Sequence, residues 1–234
     1  MRSWWRLGPI AYIAPVPAES PAETEKRVAA EAAAALVEGG SRVGLGTGST
    51  VAFLLPALAA RALSIRCVAT SPATEQHARE LGIEVGPFEG VDRLDVAIDG
   101  ADQVTPDGWL IKGGGGAHFR EKIVAAAADR FIVIGDSSKP VDELSPPVPL
   151  ELSKFGLAAT MRELGEVDLR DVPPSPDGGL IADYHGQVGD PAQLGAWLAS
   201  IPGVVAHGLF PPELVDEVLI GRGESAERLE LVEG

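Results

Sequence analysis

"DVAIDGADQV", residues 95–104, is an apolar run that ends in two aspartates three positions apart, Asp99 and Asp102, with a glycine between them. An apolar strand of this kind belongs to a parallel sheet buried on both faces. In an open α/β sheet, ligands bind outside the carboxyl ends of the strands, where loops gather helix N-termini and side chains into one crevice. Asp99 lies just past such an end. Other polar clusters fall in the same position: "GTGST" after "SRVGL", "TSPATE" after "IRCVA", "KGGGG" after "WLI" and "DSSK" after "FIVIG". Loops are polar anyway, since Asp, Ser and Gly favour turns. Five coincidences at strand ends nevertheless point to one site.

Working outward, "AETEKRVAAEAAAALVEGG" reads as an alanine-rich helix closed by a C-cap at Gly39 and Gly40. "SRVGLG" is a strand, "STVAFLLPALAARA" a helix with Ser49 or Thr50 as N-cap, and "IRCVAT" a strand. "TEQHARELG", "IEVGPF", "LDVAID", "FREKIVAAAADR" and "FIVIGD" continue the alternation of helix and strand. Such alternation predicts a parallel sheet covered on both faces, a Rossmann-like α/β domain. From about Pro146 the texture changes. "PVPLEL", "SKFGLAATMREL", "EVDLRDV", "GLIADYHG", "DPAQLGAWLASI" and "VVAHGLF" follow the order β-α-β-β-α-β, a smaller ferredoxin-like α+β domain. "DEVLIGRG" is then expected to return to the first domain. The predicted organisation is a Rossmann-like catalytic domain of residues 21–145 plus 212–234, a small α+β domain of residues 146–211, and a disordered N-terminal extension, residues 1–20.

The 234 residues, 45% of them apolar, suffice for a sizeable core. With 19 Lys and Arg against 34 Asp and Glu, the net charge of -15 argues against a nucleic-acid partner and against an anionic membrane surface. Any anionic ligand must be held by local groups. No stretch reaches the roughly 20 apolar residues of a membrane-spanning helix. The first twenty residues have a faint signal-peptide outline, weakened by three prolines and a short apolar run. Cys67 is the one cysteine; it reads as a core thiol, and a reducing, cytoplasmic compartment fits.

"GLGTGST", residues 44–50, combines glycines that let backbone amides approach a ligand with hydroxyls at a helix N-terminus. Unpaired N–H groups and the helix dipole favour an anion there, and a phosphate fits. The stretch lacks the Gly-Lys-Ser/Thr of a Walker loop, and Ser49 stands where the dinucleotide fingerprint has its third glycine. A small phosphorylated molecule is favoured over a nucleotide. "LIKGGGGAHFREK", residues 110–122, places Lys112 before four glycines and Glu121 in the first turns of the next helix. A lysine and a carboxylate so arranged can stabilise an oxyanion and move a proton. His118 has no visible partner and reads as structural or solvated. No two histidines have metal-ligand spacing.

In order along the chain, "GLGTGST", "IDGAD", "IKGGGG", "REK" and "GDSSK" resemble the ribose-5-phosphate isomerases of the A type, with similarity from about Lys26 to Gly221. The intervals of 13 residues from Asp99 to Lys112 and 9 from Lys112 to Glu121 match that family's pattern. The resemblance implies interconversion of ribose 5-phosphate and ribulose 5-phosphate in the pentose phosphate pathway, without metal or organic cofactor, by a dimer or tetramer. It implies that Glu121 is the base, and that Lys112, Asp99 and Asp102 handle the sugar oxygens and ring opening. It assigns substrate binding to Thr47, Gly48, Ser49, Thr50 and Lys139, with Lys26 helping to hold the phosphate. Gly100, Ala101, Gly113, Gly114 and Gly115 complete the implied substrate loops. Gly116 and His118 depart from the family pattern, which has alanine and a small or apolar residue at those places. Two other readings share parts of this pattern. A sugar-phosphate deaminase or coenzyme A transferase of similar fold should lack the joint spacing, and a sensing domain of a regulator usually carries a basic DNA-binding module.

Overall fold

The computed structural model describes residues 19–232. The extension read over residues 1–20 lies outside them except for Glu19 and Ser20, and Ser20 caps the first helix in a reciprocal capping box with Glu23. The chain runs α1 (Pro21–Ala35), β1 (Arg42–Leu45), α2 (Ser49–Ala60), β2 (Arg66–Ala69), α3 (Pro72–Glu80), β3 (Val96–Gly100), β4 (Gln103–Val104), β5 (Leu110–Ile111), α4 (His118–Ala126) and β6 (Phe131–Gly135). It continues with β7 (Val148–Leu152), α5 (Leu157–Leu164), β8 (Val167–Leu169), β9 (Leu180–Tyr184), α6 (Pro191–Ser200), β10 (Val204–His207), β11 (Leu209–Phe210), β12 (Glu217–Arg222) and β13 (Ser225–Arg228).

The main sheet has six strands in the order β13-β12-β6-β3-β1-β2, parallel except for β13. Its central strands are largely apolar because both faces are covered, whereas the edge strand β13 is polar and mostly exposed. Along β6, Ile132 and Ile134 pack with Leu54 of α2 and the alanines of α1, while Phe131 and Val133 pack with Val124 of α4. The smaller sheet, β10-β7-β9-β8, is antiparallel and carries α5 and α6, as expected for a ferredoxin-like unit. A three-stranded sheet, β11-β5-β4, joins the two. Leu110 and Phe210 point into the main domain's core, and their chain neighbours Ile111 and Leu209 into the smaller domain's. Two-residue alternation thus seals one strand pair against two cores.

Several elements differ from the sequence reading. Asp99 and Gly100 lie inside β3, opposite Val133 and Ile134, so the strand carries its carboxylate within the ladder. "IEVGPF" makes only an isolated bridge from Val85 to Cys67, because Pro87 has no N–H with which to extend it. α1 stops at Ala35, before the two glycines, where the Arg61 guanidinium takes the carbonyls of Ala34 and Val37. "VVAHGLF" splits at Gly208, whose N–H donates to Pro149 O (2.7 Å) and whose carbonyl accepts from Lys112 N (2.8 Å). "DEVLIGRG" returns as β12 beside β6 and continues through a hairpin into β13.

A Cβ on Gly208 would lie 2.1 Å from the Lys112 carbonyl oxygen, in backbone that has little room to give. Gly208→Ala is therefore expected to lower stability by about 1–3 kcal/mol in urea unfolding, the cost typical of overpacking.

Candidate active site

Asp99 is the penultimate residue of β3, Lys112 follows β5, and Glu121 sits in the first turn of α4; the three side chains meet, each only 2–3% exposed. Lys112 Nζ lies 2.9 Å from Asp99 Oδ2 and 3.1 Å from Glu121 Oε2, and it donates to the Gly100 carbonyl. One ammonium thus serves two carboxylates. Asp99 has further support, since its Oδ1 accepts from Thr47 N at 3.0 Å and from Gly100 N at 2.7 Å. Glu121 has less: its Oε2, though close to the ammonium, has no aligned hydrogen-bond donor.

The electrostatics follow from this inequality. Burial, and then the nearby Asp99 charge, push Glu121 up to about 8 against the pull of Lys112. Asp99 is also raised by burial, opposed by Lys112 and by the Gly100 and Thr47 amides. Burial acts to lower Lys112, but its two carboxylates outweigh that and hold it above its ordinary value. Glu121, raised into the neutral range and lining the cavity described below, is suited to accept and return a proton there.

The loop after β1 forms the opposite wall. Gly48, not Ser49 or Thr50, is the N-cap of α2, and it supplies no side-chain bond to the first-turn amides. Ser49 and Thr50 lie inside the first turn, where a polar side chain can still face a ligand while the amides stay free for an anion. Thr47 Oγ1 is 2.8 Å from Thr70 Oγ1, which fastens the loop to the end of β2. Lys26 Nζ donates to Ser49 Oγ at 3.0 Å and lies 4.0 Å from Asp136 Oδ2.

A cavity of about 300 Å³ joins these walls. It is lined by Thr47, Gly48, Ser49 and Thr50 from one side, by Gly100, Ala101 and Asp102 after β3, by Lys112, Gly113, Gly114, Gly115 and Glu121, and by Lys139. Asp99 lies beneath it, and Lys26 reaches it through Ser49. Every residue that the family resemblance assigned to catalysis or substrate binding is therefore in or against this one cavity. Asp102 lies at its exposed side, where Oδ2 accepts from Gly114 N at 2.9 Å.

Three nearby residues were not singled out. Thr70 and the buried Asp136, which accepts from Ser138 N at 3.0 Å, sit in strand-end clusters that were legible as polar loops. Arg170 comes from the smaller domain, and nothing local in the sequence connects it to the site. His118 is wholly buried, and neither ring nitrogen has a hydrogen-bond partner. Burial, and then Lys122, lower it to about 3, so it is a neutral packing group and not a solvated one. Cys67 is a buried thiol, pushed up to about 12 by burial. Among the described residues no group of three His, Cys, Asp or Glu could hold a metal ion, and no helix is long and apolar enough to cross a membrane.

The family model of ribose 5-phosphate isomerase A (phosphoriboisomerase A) matches residues 66–225. A curated ribose-5-phosphate isomerase A from Caulobacter vibrioides is 46% identical over 225 residues, 89% of this chain and 99% of that one. The chain belongs to the ribose 5-phosphate isomerase A family. Among solved structures, the ribose 5-phosphate isomerase A of Neisseria gonorrhoeae superposes with a TM-score of 0.85 at 35% identity, covering 89% of this chain and 96% of that one. A D-ribose-5-phosphate isomerase in complex with phospho-erythronic acid gives a TM-score of 0.84 at 35% identity, covering 89% and 99%.

Removing the shared cation tests the electrostatics of this isomerase-family site. Lys112→Met leaves Asp99 and Glu121 without their counter-charge, so their folded-state pKa values rise further above the unfolded ones. A group raised in this way stabilises the fold at low pH and loses that contribution as pH climbs through its folded pKa. The variant is expected to lose about 3–5 kcal/mol at pH 9, and distinctly less at pH 5, in urea unfolding followed at both values.

Proposed function

We propose that the protein interconverts D-ribose 5-phosphate and D-ribulose 5-phosphate through an enediolate, in the non-oxidative pentose phosphate pathway. The observation that carries this reading is the single cavity with the uncapped N-terminus of α2 on one wall and the Glu121 carboxylate on the other. A five-carbon sugar phosphate has the same two ends, an anion and a carbonyl. The relatives named above, and the phospho-erythronic acid held by one of them, support the same substrate class.

In this reading the first-turn amides of α2, the hydroxyls of Thr47, Ser49 and Thr50, and the ammonium groups of Lys26 and Lys139 hold the phosphate. Asp102, at the exposed side of the cavity, takes part in opening the sugar ring. Glu121 then removes the proton from C2 of the open-chain aldose, and the electron pair moves through C1 to the carbonyl oxygen. Lys112 is the positive charge beside the developing oxyanion, and Asp99 holds that lysine in place. Glu121 returns the proton to C1 while the O2 proton passes to O1, so that C2 becomes the carbonyl and C1 the hydroxymethyl carbon of the ketose. Neither metal nor organic cofactor is needed for these steps. Residues 21–145 with 212–234 form the catalytic domain and residues 146–211 the smaller one. The protein is read as a cytoplasmic homo-oligomer, in keeping with a single buried thiol and with the family.

Glu121→Gln is expected to lower turnover at least about 100-fold while inhibition by inorganic phosphate survives. Near-normal turnover in the purified variant places the base elsewhere. Wild-type kcat/KM is expected to rise with pH and level off above about 8, because the base must be ionised and Glu121 is pushed up to about 8. Formation of ribulose 5-phosphate from ribose 5-phosphate is expected to continue in the presence of a chelator; abolition of activity sinks the metal-free mechanism.

A further inference from the structure

The loop between Lys112 and Glu121 poses a mechanical problem. Both of its ends carry reacting groups, yet Gly113–Gly116 have no side chains with which to anchor it, and glycine backbone loses the most freedom when ordered. Two ties lie inside the main domain, Gly116 N to Gly113 O (3.0 Å) and Gly114 N to Asp102, while the Lys112 N bond to Gly208 O already reaches the smaller domain. Behind it, His118 and Pro149 crowd Gly113, where a Cβ would lie 2.7 Å from His118 Nδ1 and 2.8 Å from Pro149 Cβ.

The remaining ties come from the other domain. Arg170, just past β8, donates from Nη1 to Gly113 O (2.9 Å) and to Gly114 O (3.1 Å). Its Nε and Nη2 hold both oxygens of Asp183 on β9, at 2.7 and 2.6 Å. Both side chains are about four-fifths buried. The carboxylate aims the guanidinium, and the guanidinium takes two successive carbonyls. With these carbonyls held on the smaller-domain side, the Gly114 N–H faces Asp102 on the cavity side.

We propose that Arg170 and Asp183 are a positioning pair for the isomerisation, holding the glycine loop in the conformation that brings Asp102, Lys112 and Glu121 onto one substrate. The inference rests on the isomerase reading above and adds to it a dependence on the smaller domain. Arg170 does not touch the substrate; it acts through Gly113 and Gly114. Only a planar fork can meet a carboxylate with two donors and two carbonyls with a third, so lysine is no substitute.

The test compares kcat, KM for ribose 5-phosphate and the inhibition constant of inorganic phosphate in Arg170→Met, Arg170→Lys, Asp183→Asn, Asp102→Asn and the double variant Arg170→Met with Asp102→Asn. Arg170→Met is expected to lose about 10–100-fold in kcat, the scale of a displaced reacting group, with inorganic phosphate binding unchanged because the Thr47–Thr50 wall is untouched. Arg170→Lys fails to restore the rate. The double variant loses less than the product of the two single losses, since Arg170 acts in part by holding the Gly114 backbone to which Asp102 is bonded. Normal kcat in Arg170→Met overturns the proposal, as does a strictly multiplicative double variant or a parallel loss of phosphate binding. Should Arg170→Met fail to fold, Asp183→Asn decides the matter: a loss in kcat alone supports the pair, and an unaltered kcat overturns it. If the wild-type protein forms no ribulose 5-phosphate from ribose 5-phosphate, the isomerase reading fails; if it does and the Arg170 and Asp183 variants are as fast, only the positioning pair fails.

Discussion

Lys112 brings one positive charge into a place where two carboxylates have been stripped of water. Removing such ions from solvent costs several kcal/mol each, and the cost is offset only when partners are close and well placed. At 2.9 and 3.1 Å from Asp99 and Glu121 the ammonium meets that condition for both, but as a single charge it cannot neutralise both. The surplus negative charge falls on the less supported partner. Asp99 has two backbone amides and Glu121 has none, so Glu121 is driven toward the neutral range while Asp99 holds the lysine. Unequal hydrogen bonding around a shared cation thereby raises Glu121 into the range that the proposed base requires.

The rest of the fold delivers these three side chains to one point. β3 carries Asp99 in the middle of the main sheet, whose two faces are sealed, so its end opens into the crevice lined by the polar loops. β5 carries Lys112 on a short sheet pinned between two cores, with Ile111 on one side and Leu110 on the other. α4 presents Glu121 from a helix whose inner face, Val124 and Ala125, is buried against the main sheet. The smaller domain does more than cap the structure. Through Gly208 it receives the Lys112 amide, and through Arg170 it holds the glycine loop.

The proposed phosphate site lies in a protein with a net charge of -15. The long-range field is unfavourable, so attraction must come from groups within a few ångströms. The first-turn amides of α2 have no side-chain cap competing for them, and Lys26 and Lys139 stand at either side. The same locality explains why the opposite wall tolerates an acidic cluster: the two ends of the cavity are separate electrostatic environments.

Apolar runs of five residues, glycine-rich strand ends and the Asp99, Lys112 and Glu121 spacing were legible along the chain because each is a local pattern: a strand's burial, a loop's backbone freedom, a helix start. These determined the α/β class, the β-α-β-β-α-β order of the smaller domain and nearly the whole cavity lining. Tertiary structure alone decided that Pro87 would leave "IEVGPF" with one bridge, that Arg61 would end α1 ahead of its glycines, that Gly208 would divide one apparent strand between two sheets, and that Arg170 would reach the glycine loop from another domain. It also decided that burial would raise both Asp99 and Glu121, with backbone amides opposing the rise at Asp99 alone. The physical reason is common to all: burial, ion pairing and capping by distant side chains depend on what lies nearby in space, and sequence periodicity records only what each residue faces, not which partner meets it there.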